Sequence, residues 1–387
     1  MSRNLNPLGL TPLEIGSNRI HGADASAPNP ARGITGRTPR AALEDAVAGA
    51  LARPPCGVSF SGGRDSSAVL ATAAHVARRE GLPLPIPLTL RFPDVPETDE
   101  TAWQEKVIRH LGLTHWERIE IGDELDIVGP VARRVLARCG LLWPANTYVH
   151  EPLLERVAGG SLLTGVDGDG LLAGWRWQHQ ADVLARRKPR RSFEALRIAH
   201  AASPRSIRRI VARRRDLDPP QWLQPDAARA VAEAELQDLA EEPFRWSKRV
   251  RWYARRRYLH LTRRSFELMA DAHRTRVSHL FLDPQFLAQL ARDGAFGPGD
   301  RTTAMTRIFG DLLPADVLAR ATKARFGRAF RGRHTEELLS RWDGRGVDTD
   351  VVRLDVVERM WRHGEDPKWQ TGILFQSMLL RLAGDGA

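Results

Sequence analysis

From residue 38 onward the chain alternates between helical and strand-like hydrophobic patterns. Thr38 and Pro39 are the residue types of an N-cap and a first helical position, and Leu43, Ala46, Val47 and Ala50 recur behind them on one helical face. Pro54 and Pro55 end that helix. The short apolar run from Cys56 to Phe60 reads as a buried strand, residues 61–67 as a small-residue loop, and the stretch to Ala77 as a helix. The order then repeats: a strand at 86–90, a helix from about 98 carrying Trp103, Val107, Ile108 and Leu111, a strand at 115–121, helices near 125–138 and 150–158, and a strand at 161–164. Strands separated by helices of this length predict an α/β fold, a doubly wound parallel sheet that binds ligands at the C-terminal strand ends. Beyond Leu171 the strand signal fades, and 229–239, 248–272 and 302–319 read as helical, with no internal repeat. Residues 1–37 are rich in Pro, Gly, Asn and Ser without a period, and read as a flexible or loosely docked arm. The expected organisation is therefore an arm at 1–37, an α/β core at 38–180 and a mostly helical remainder at 181–387.

Composition narrows the class. With 387 residues and 42% hydrophobic content the chain can bury a large core. Its two cysteines, Cys56 and Cys139, are too few for a disulfide framework or a zinc site, which makes a reducing compartment the default. No apolar run reaches the roughly 18 residues of a membrane span, and no apolar signal core begins the chain, so a cytoplasmic location with no membrane partner is expected. The net charge of +11 is clustered, at Arg186, Arg187, Lys188, Arg190 and Arg191, at Arg208, Arg209 and Arg213 to Arg215, and at Arg255 to Arg257. A solvated arginine-rich surface is the favoured account and a nucleic-acid partner the disfavoured one.

The loop after the first strand carries the chemistry. Gly62 and Gly63 let backbone N–H groups approach a phosphate, the following helix N-terminus adds positive potential, and Ser61, Ser66 and Ser67 offer hydroxyls. Asp65 in an anion site makes sense once a divalent cation shares it with phosphate oxygens. The loop thus predicts a nucleotide with magnesium. The chain has no G-x-x-x-x-G-K-[ST] string, so transfer of a terminal phosphate in the kinase manner is disfavoured.

Three segments in order give the chain a family resemblance. Leu43-Glu-Asp-Ala-Val47 with Gly57-Val-Ser-Phe-Ser-Gly-Gly-Arg-Asp-Ser-Ser67 is similar to the helix, strand and SGGxDSS loop of the asparagine synthetase superfamily, within the PP-loop ATP pyrophosphatases. Leu162-Leu-Thr-Gly-Val-Asp-Gly-Asp-Gly-Leu-Leu-Ala-Gly174 resembles that family's L-S-G-E-G-x-D-E-L-F-G-G. The stretch from Ala272 to Asp283 resembles G-x-E-x-R-x-P-F-L-D, and Leu312 to Asp316 with Lys323-Ala-Arg-Phe326 resembles the helix and K-x-x-F stretch beyond it. The resemblance implies an adenine nucleotide alpha hydrolase-like core and an ATP-dependent amide synthetase, AMP-forming, that activates a small-molecule or peptide carboxylate as its adenylate. It also implies that Asp65 and Asp169 hold Mg²⁺, that Ser61, Gly62, Gly63, Asp65, Ser66 and Ser67 cradle phosphates, that Leu90 and Gly165 lie along the adenosine, and that Lys323 stabilises developing charge.

Two departures bear on the substrate. Val166 and Gly170 stand where the family carries acidic residues, with Asp167 one position away as a candidate substitute. About 60 residues precede the loop and residue 2 is Ser, so no glutaminase domain with an N-terminal cysteine is expected. The amine would then be free ammonia, ammonia from a partner protein, or a substrate amine, as in relatives that close β-lactams or lasso-peptide macrolactams. The competing reading is another PP-loop adenylating enzyme, acting on tRNA.

Overall fold

A computed structural model describes residues 4–25, 27, 37–189, 193–215, 217–364, 366 and 370–385. Its centre is a five-stranded sheet, all parallel, in the order β3-β2-β1-β4-β5. In chain order the elements that build it are α1 (Pro12–Ser17), α2 (Pro39–Leu51), β1 (Cys56–Ser59), α3 (Arg64–Glu80), β2 (Ile86–Arg91), α4 (Thr101–His110), β3 (Glu117–Glu120), α5 (Pro130–Cys139), α6 (Glu151–Arg156), β4 (Ser161–Thr164), α7 (Gly168–Ala173) and β5 (Arg276–His279). The chain steps outward from β1 to β3, then returns to the other side of β1 for β4. That reversal is a topological switch point, and the loops after β1 and β4 part there to leave a crevice.

Side-chain alternation fixes which face each residue serves. Leu162 and Leu163 are neighbours on β4, and they bury into opposite hydrophobic clusters, one on each face of the sheet. Val58 sits opposite Leu163 in the parallel register and shares its cluster, while Gly57 sits opposite Leu162. A Cβ on Gly57 would come within 2.7 Å of Leu88 and Val157, so that face closes on the strand only because the side chain is missing.

The early elements follow the expected pattern. Thr38 caps α2 by accepting from the Ala41 N–H, Pro39 opens it, and Leu43, Val47 and Ala50 are buried on its inner face. Later elements differ. β5 is a fifth strand within the stretch from Ala272 to Asp283, unseen in the sequence because Arg276-Val-Ser-His279 has no apolar run. The sheet therefore draws on residues beyond 180, and both hydrophobic clusters mix residues from either side of that position. The helix expected at 125–138 begins only at Pro130, because Asp126 is committed to a turn that accepts from the Gly332 and Thr335 N–H groups. The stretch 248–272 is two helices, Trp246–Ala254 and Arg257–Asp271, and 302–319 is likewise two, Arg301–Phe309 and Ala315–Ala319, separated at Pro314.

The N-terminal segment is packed, not loose, over residues 4–25. Thr11 and Glu14 form a reciprocal capping box at the start of α1, a pattern present in the sequence as Thr-x-x-Glu. Leu8, Leu10, Ile15 and Ile20 are buried in the main cluster on one face of the sheet. Glu14 pairs with Arg257 at 2.9 Å, and the Asp24 and Arg257 N–H groups exchange bonds with Arg255 and Gly22, so the segment docks into the break between the two late helices. Residues 1–3, 26 and 28–36 of the expected arm lie outside the described residues.

The basic clusters are partly consumed by intramolecular pairs. Arg187 and Lys188 face Asp182, Arg209 pairs with Glu233, Arg256 with Asp238, and buried Arg208 donates to the Glu242 carbonyl. Arg190 and Arg191 lie outside the described residues. None of the described helices is long and apolar enough to cross a membrane.

The docking of α1 has a measurable consequence. Ile15→Ala should lower the free energy of unfolding in a denaturant titration by about 2 kcal/mol, as for other buried large-to-small changes. A change near zero would mean that the segment contributes no core.

Candidate active site

The loop after β1 is shaped by its first three residues. Gly62 takes φ +80°, a left-handed conformation that favours glycine, and its carbonyl accepts from Arg320 at 3.0 Å. The Ser61 carbonyl accepts from Gln104 at 3.2 Å, and the Ser66 hydroxyl donates to the Gly63 carbonyl at 3.1 Å, tying the loop to α3. Gly63 is the N-cap of α3 and brings no side-chain cap, so the first N–H groups of a 17-residue helix stay open toward the crevice. The helix starts at Arg64, which places Asp65, Ser66 and Ser67 in its first turn and not in the loop proper.

The turn after β4 comes in against that helix end. A Cβ on Gly165 would lie 2.9 Å from the Ser66 nitrogen, and one on Gly168 would lie 2.7 Å from Asp65 Oδ1. Only glycine at both places lets this turn seat on the Asp65 carboxylate. Asp65 is largely buried there, with 18% of its side chain exposed. Its Oδ2 accepts from Arg301 at 2.6 Å, while Oδ1 is buried and has no partner among the described residues. Burial raises the Asp65 carboxyl above its ordinary range, and the Arg301 charge opposes that rise without cancelling it.

Ser61, Gly63, Asp65, Ser66, Gly165, Asp169 and Lys323 line one cleft of 320 Å³ between the two loops. Asp169 is half exposed, at 52%, and Lys323 stands 3.8 Å from it with 84% of its side chain free. The other sequence-expected residues are placed differently. Leu90 belongs to an adjoining apolar chamber of 230 Å³ with Phe60, Phe92, Phe326 and Phe330. Ser67 is fully buried within α3 and does not reach the cleft. Gly62 lies behind it, its carbonyl held by Arg320. Asp167 adopts φ +67° and its carboxylate also lies behind the cleft, packed with the Tyr253 hydroxyl around Gly170.

Three arginines were not singled out from the sequence. Arg64, Arg301 and Arg320 line the cleft, giving it four cations with Lys323. Arg320 is buried, pairs with Glu100 and lies over the Trp103 ring at 4.8 Å, so it serves both the loop and the α4 side. Burial, and next the neighbouring Arg301, pull the Arg64 guanidinium below its usual range. Arg301 comes from late helical sequence with no motif around it, and Arg320 from the gap between the segments 312–316 and 323–326, neither of which includes it. His150 also borders both cavities, its imidazolium disfavoured by burial to a pKa of about 4.

Among the described residues no cluster of three or more His, Cys, Asp or Glu side chains could hold a metal alone. Two carboxylates facing a phosphate site is, however, the donor set that suits Mg²⁺ shared with substrate oxygens, and the orphaned Asp65 Oδ1 fits it.

An open helix N-terminus, a glycine-serine loop and flanking cations at the switch point are the features with which α/β folds of the nucleotide-binding class build a phosphate site. The asparagine synthase family model matches residues 38–382, and the chain belongs to that family. A comparison with individual curated proteins finds no match. Membership makes the protein an ATP-dependent ligase of the amide-synthetase type that binds ATP.

Asp167 offers a direct test of the electrostatics. Burial is the main cause that pushes its carboxyl up to about 6, with Tyr253 and Arg249 pulling down and Asp169 and Asp65 adding to the rise. The folded protein then holds this proton more tightly than the unfolded chain, so the stability tied to it is complete below about pH 4 and is lost as pH rises through about 6. Without metal, Asp167→Asn should raise the melting temperature relative to the parent at pH 8 and lose that advantage at pH 4. Equal differences at both pH values would show that Asp167 is not desolvated.

Proposed function

We propose that the protein uses ATP to activate a carboxylic acid as its acyl-adenylate, releasing pyrophosphate, and passes the acyl group to ammonia or to an amine to form an amide. The observation that carries this reading is the buried Asp65 carboxylate with an orphaned oxygen, set beneath an open helix N-terminus and beside the cations of the cleft. Such a site binds a polyphosphate through its backbone N–H groups. The adenine ring fits the adjoining chamber beside Leu90 and Phe326, and Gly165 leaves the backbone close to the nucleotide.

Asp65 and Asp169 would hold Mg²⁺ together with phosphate oxygens. Bound there, the ion neutralises phosphate charge and orients the pyrophosphate. The substrate carboxylate attacks the α-phosphorus, the bond to the β-phosphate oxygen breaks, and pyrophosphate leaves. The amine then attacks the acyl carbon and AMP departs, carrying one former carboxylate oxygen. Lys323 and Arg64 supply fixed positive charge where anionic oxygens crowd together, which lowers the barrier more than it strengthens ground-state binding. We assign no step to Asp167, whose carboxylate lies behind the cleft. Neither cysteine serves as a nucleophile: burial pushes the Cys56 thiol up to about 12 and raises that of Cys139. The amine therefore reaches this polypeptide as ammonia or on a substrate.

The decisive experiment supplies ATP, Mg²⁺, an amine and a panel of ¹⁸O-labelled carboxylic acids. AMP, pyrophosphate and transfer of one label to AMP are expected, with no glutamate formed from glutamine; ADP and phosphate would exclude the reading. In the same assay Asp65→Asn and Asp169→Asn should each abolish Mg²⁺-dependent turnover while circular dichroism stays that of the parent. Lys323→Ala should lower kcat by roughly 100-fold with a smaller change in the KM for ATP, the pattern of lost transition-state stabilisation. An unchanged kcat would return Lys323 to a surface role.

A further inference from the structure

The segment 323–327 borders a third cavity, distinct from the phosphate cleft and the chamber beside Leu90. This chamber has a volume of 930 Å³ and shares Lys323, Ala324 and Phe326 with the phosphate cleft, so the two cavities meet at Lys323. Its volume is near the top of the about 300–1,000 Å³ typical of pockets for drug-sized molecules. Ile127, Trp143, Pro144, Tyr148 and Phe330 join Phe326 in its wall, which is mostly apolar and aromatic. Tyr148 presents only its ring, since its hydroxyl already donates to the Leu125 carbonyl at 2.8 Å.

The polar part of the wall is as informative. It consists of Asn18, Asn146, Lys323 and Arg325, with no aspartate or glutamate among the described lining residues. Asn18 is delivered by the left-handed C-cap of α1, at φ +53°, so the packed N-terminal segment contributes to this chamber. Asn146 gives the wall an uncharged amide, donor and acceptor at once, which suits an uncharged polar group on the ligand.

We propose that this chamber holds the acyl substrate, and that the substrate is an aromatic or otherwise apolar carboxylic acid, larger than a free amino acid and without an ammonium group, of the kind an N-acylated aromatic residue represents. The inference rests on the adenylation reading above. The carboxylate end belongs at Lys323, where the chamber meets the phosphate cleft, and the body extends past Phe326 between the rings. An ammonium on that body would leave water for a wall that offers two like charges and no carboxylate, which is unfavourable on both counts. Neutral amide and aromatic surface meet no such penalty, and the aromatic part packs against the rings of the wall.

The test measures binding by calorimetry to the full chain loaded with α,β-methylene-ATP and Mg²⁺, with N-acetylphenylalanine, phenylalanine and aspartate as probes. N-acetylphenylalanine should bind at least about tenfold more tightly than phenylalanine or aspartate. Asn146→Asp, which puts a carboxylate in the wall, should shrink that ratio by about tenfold in favour of phenylalanine. Equal or tighter binding of the free amino acids, no binding of N-acetylphenylalanine, or a ratio unchanged in Asn146→Asp would each overturn the assignment. Turnover separates it from the reading beneath it. AMP and pyrophosphate formed best with a free amino acid would keep adenylation and remove this substrate class, whereas ADP formed with N-acetylphenylalanine would support the chamber's ligand and remove adenylation.

Discussion

The buried carboxylate of Asp65 is the constraint on which the site depends. A charge removed from water needs a partner, and Arg301 supplies one from a helix more than two hundred residues further along the chain. That pair ties the start of α3 to the late helical part of the molecule. It also requires the turn after β4 to approach without side chains, which Gly165 and Gly168 permit. The parallel register of β1 with β4 sets this approach, because Val58 opposite Leu163 brings the two C-terminal strand ends level. Sheet topology, glycine placement and ion pairing thus converge on one buried carboxylate oxygen that has no hydrogen-bond partner among the described residues.

Much of the α/β core was legible because its signals are local. Thr38 and Pro39 cap a helix through their own chemistry, and the runs beginning at Cys56, Ile86 and Ser161 are apolar enough to read as strands. The loop residues Ser61, Gly63, Asp65 and Ser66 do meet Asp169 and Lys323 at one cleft, in keeping with the motif order. What escaped is decided by distant partners. β5 is a strand because β4 offers it an edge, not because Arg276-Val-Ser-His279 has strand composition. Arg301 and Arg320 matter through Asp65, Glu100 and the Gly62 carbonyl, none of which is near them in sequence. Ser67 shows the opposite limit: it belongs to the motif string, yet the helical period turns it into the core.

The N-terminal segment illustrates how composition can mislead. Its Pro, Gly and Asn content reads as looseness, while Leu8, Leu10, Ile15 and Ile20 are spaced for burial by a path that has no regular period. The capping box at Thr11 and Glu14 and the pairing of Glu14 with Arg257 replace periodicity as the ordering signals. Through Asn18 the same segment takes part in a cavity beside the phosphates, so its packing and the shape of the site are one problem.

Gly170 carries a consequence for how this site can change. A side chain there would collide with the Tyr253 hydroxyl and crowd Asp167, so an acidic residue at this place has no room beside Tyr253. Substitution at 170 alone is sterically blocked by Tyr253, and a smaller residue at 253 would open the space. The two positions are therefore coupled in their tolerance of mutation, and the order in which substitutions arrive decides which variants of this enzyme are reachable.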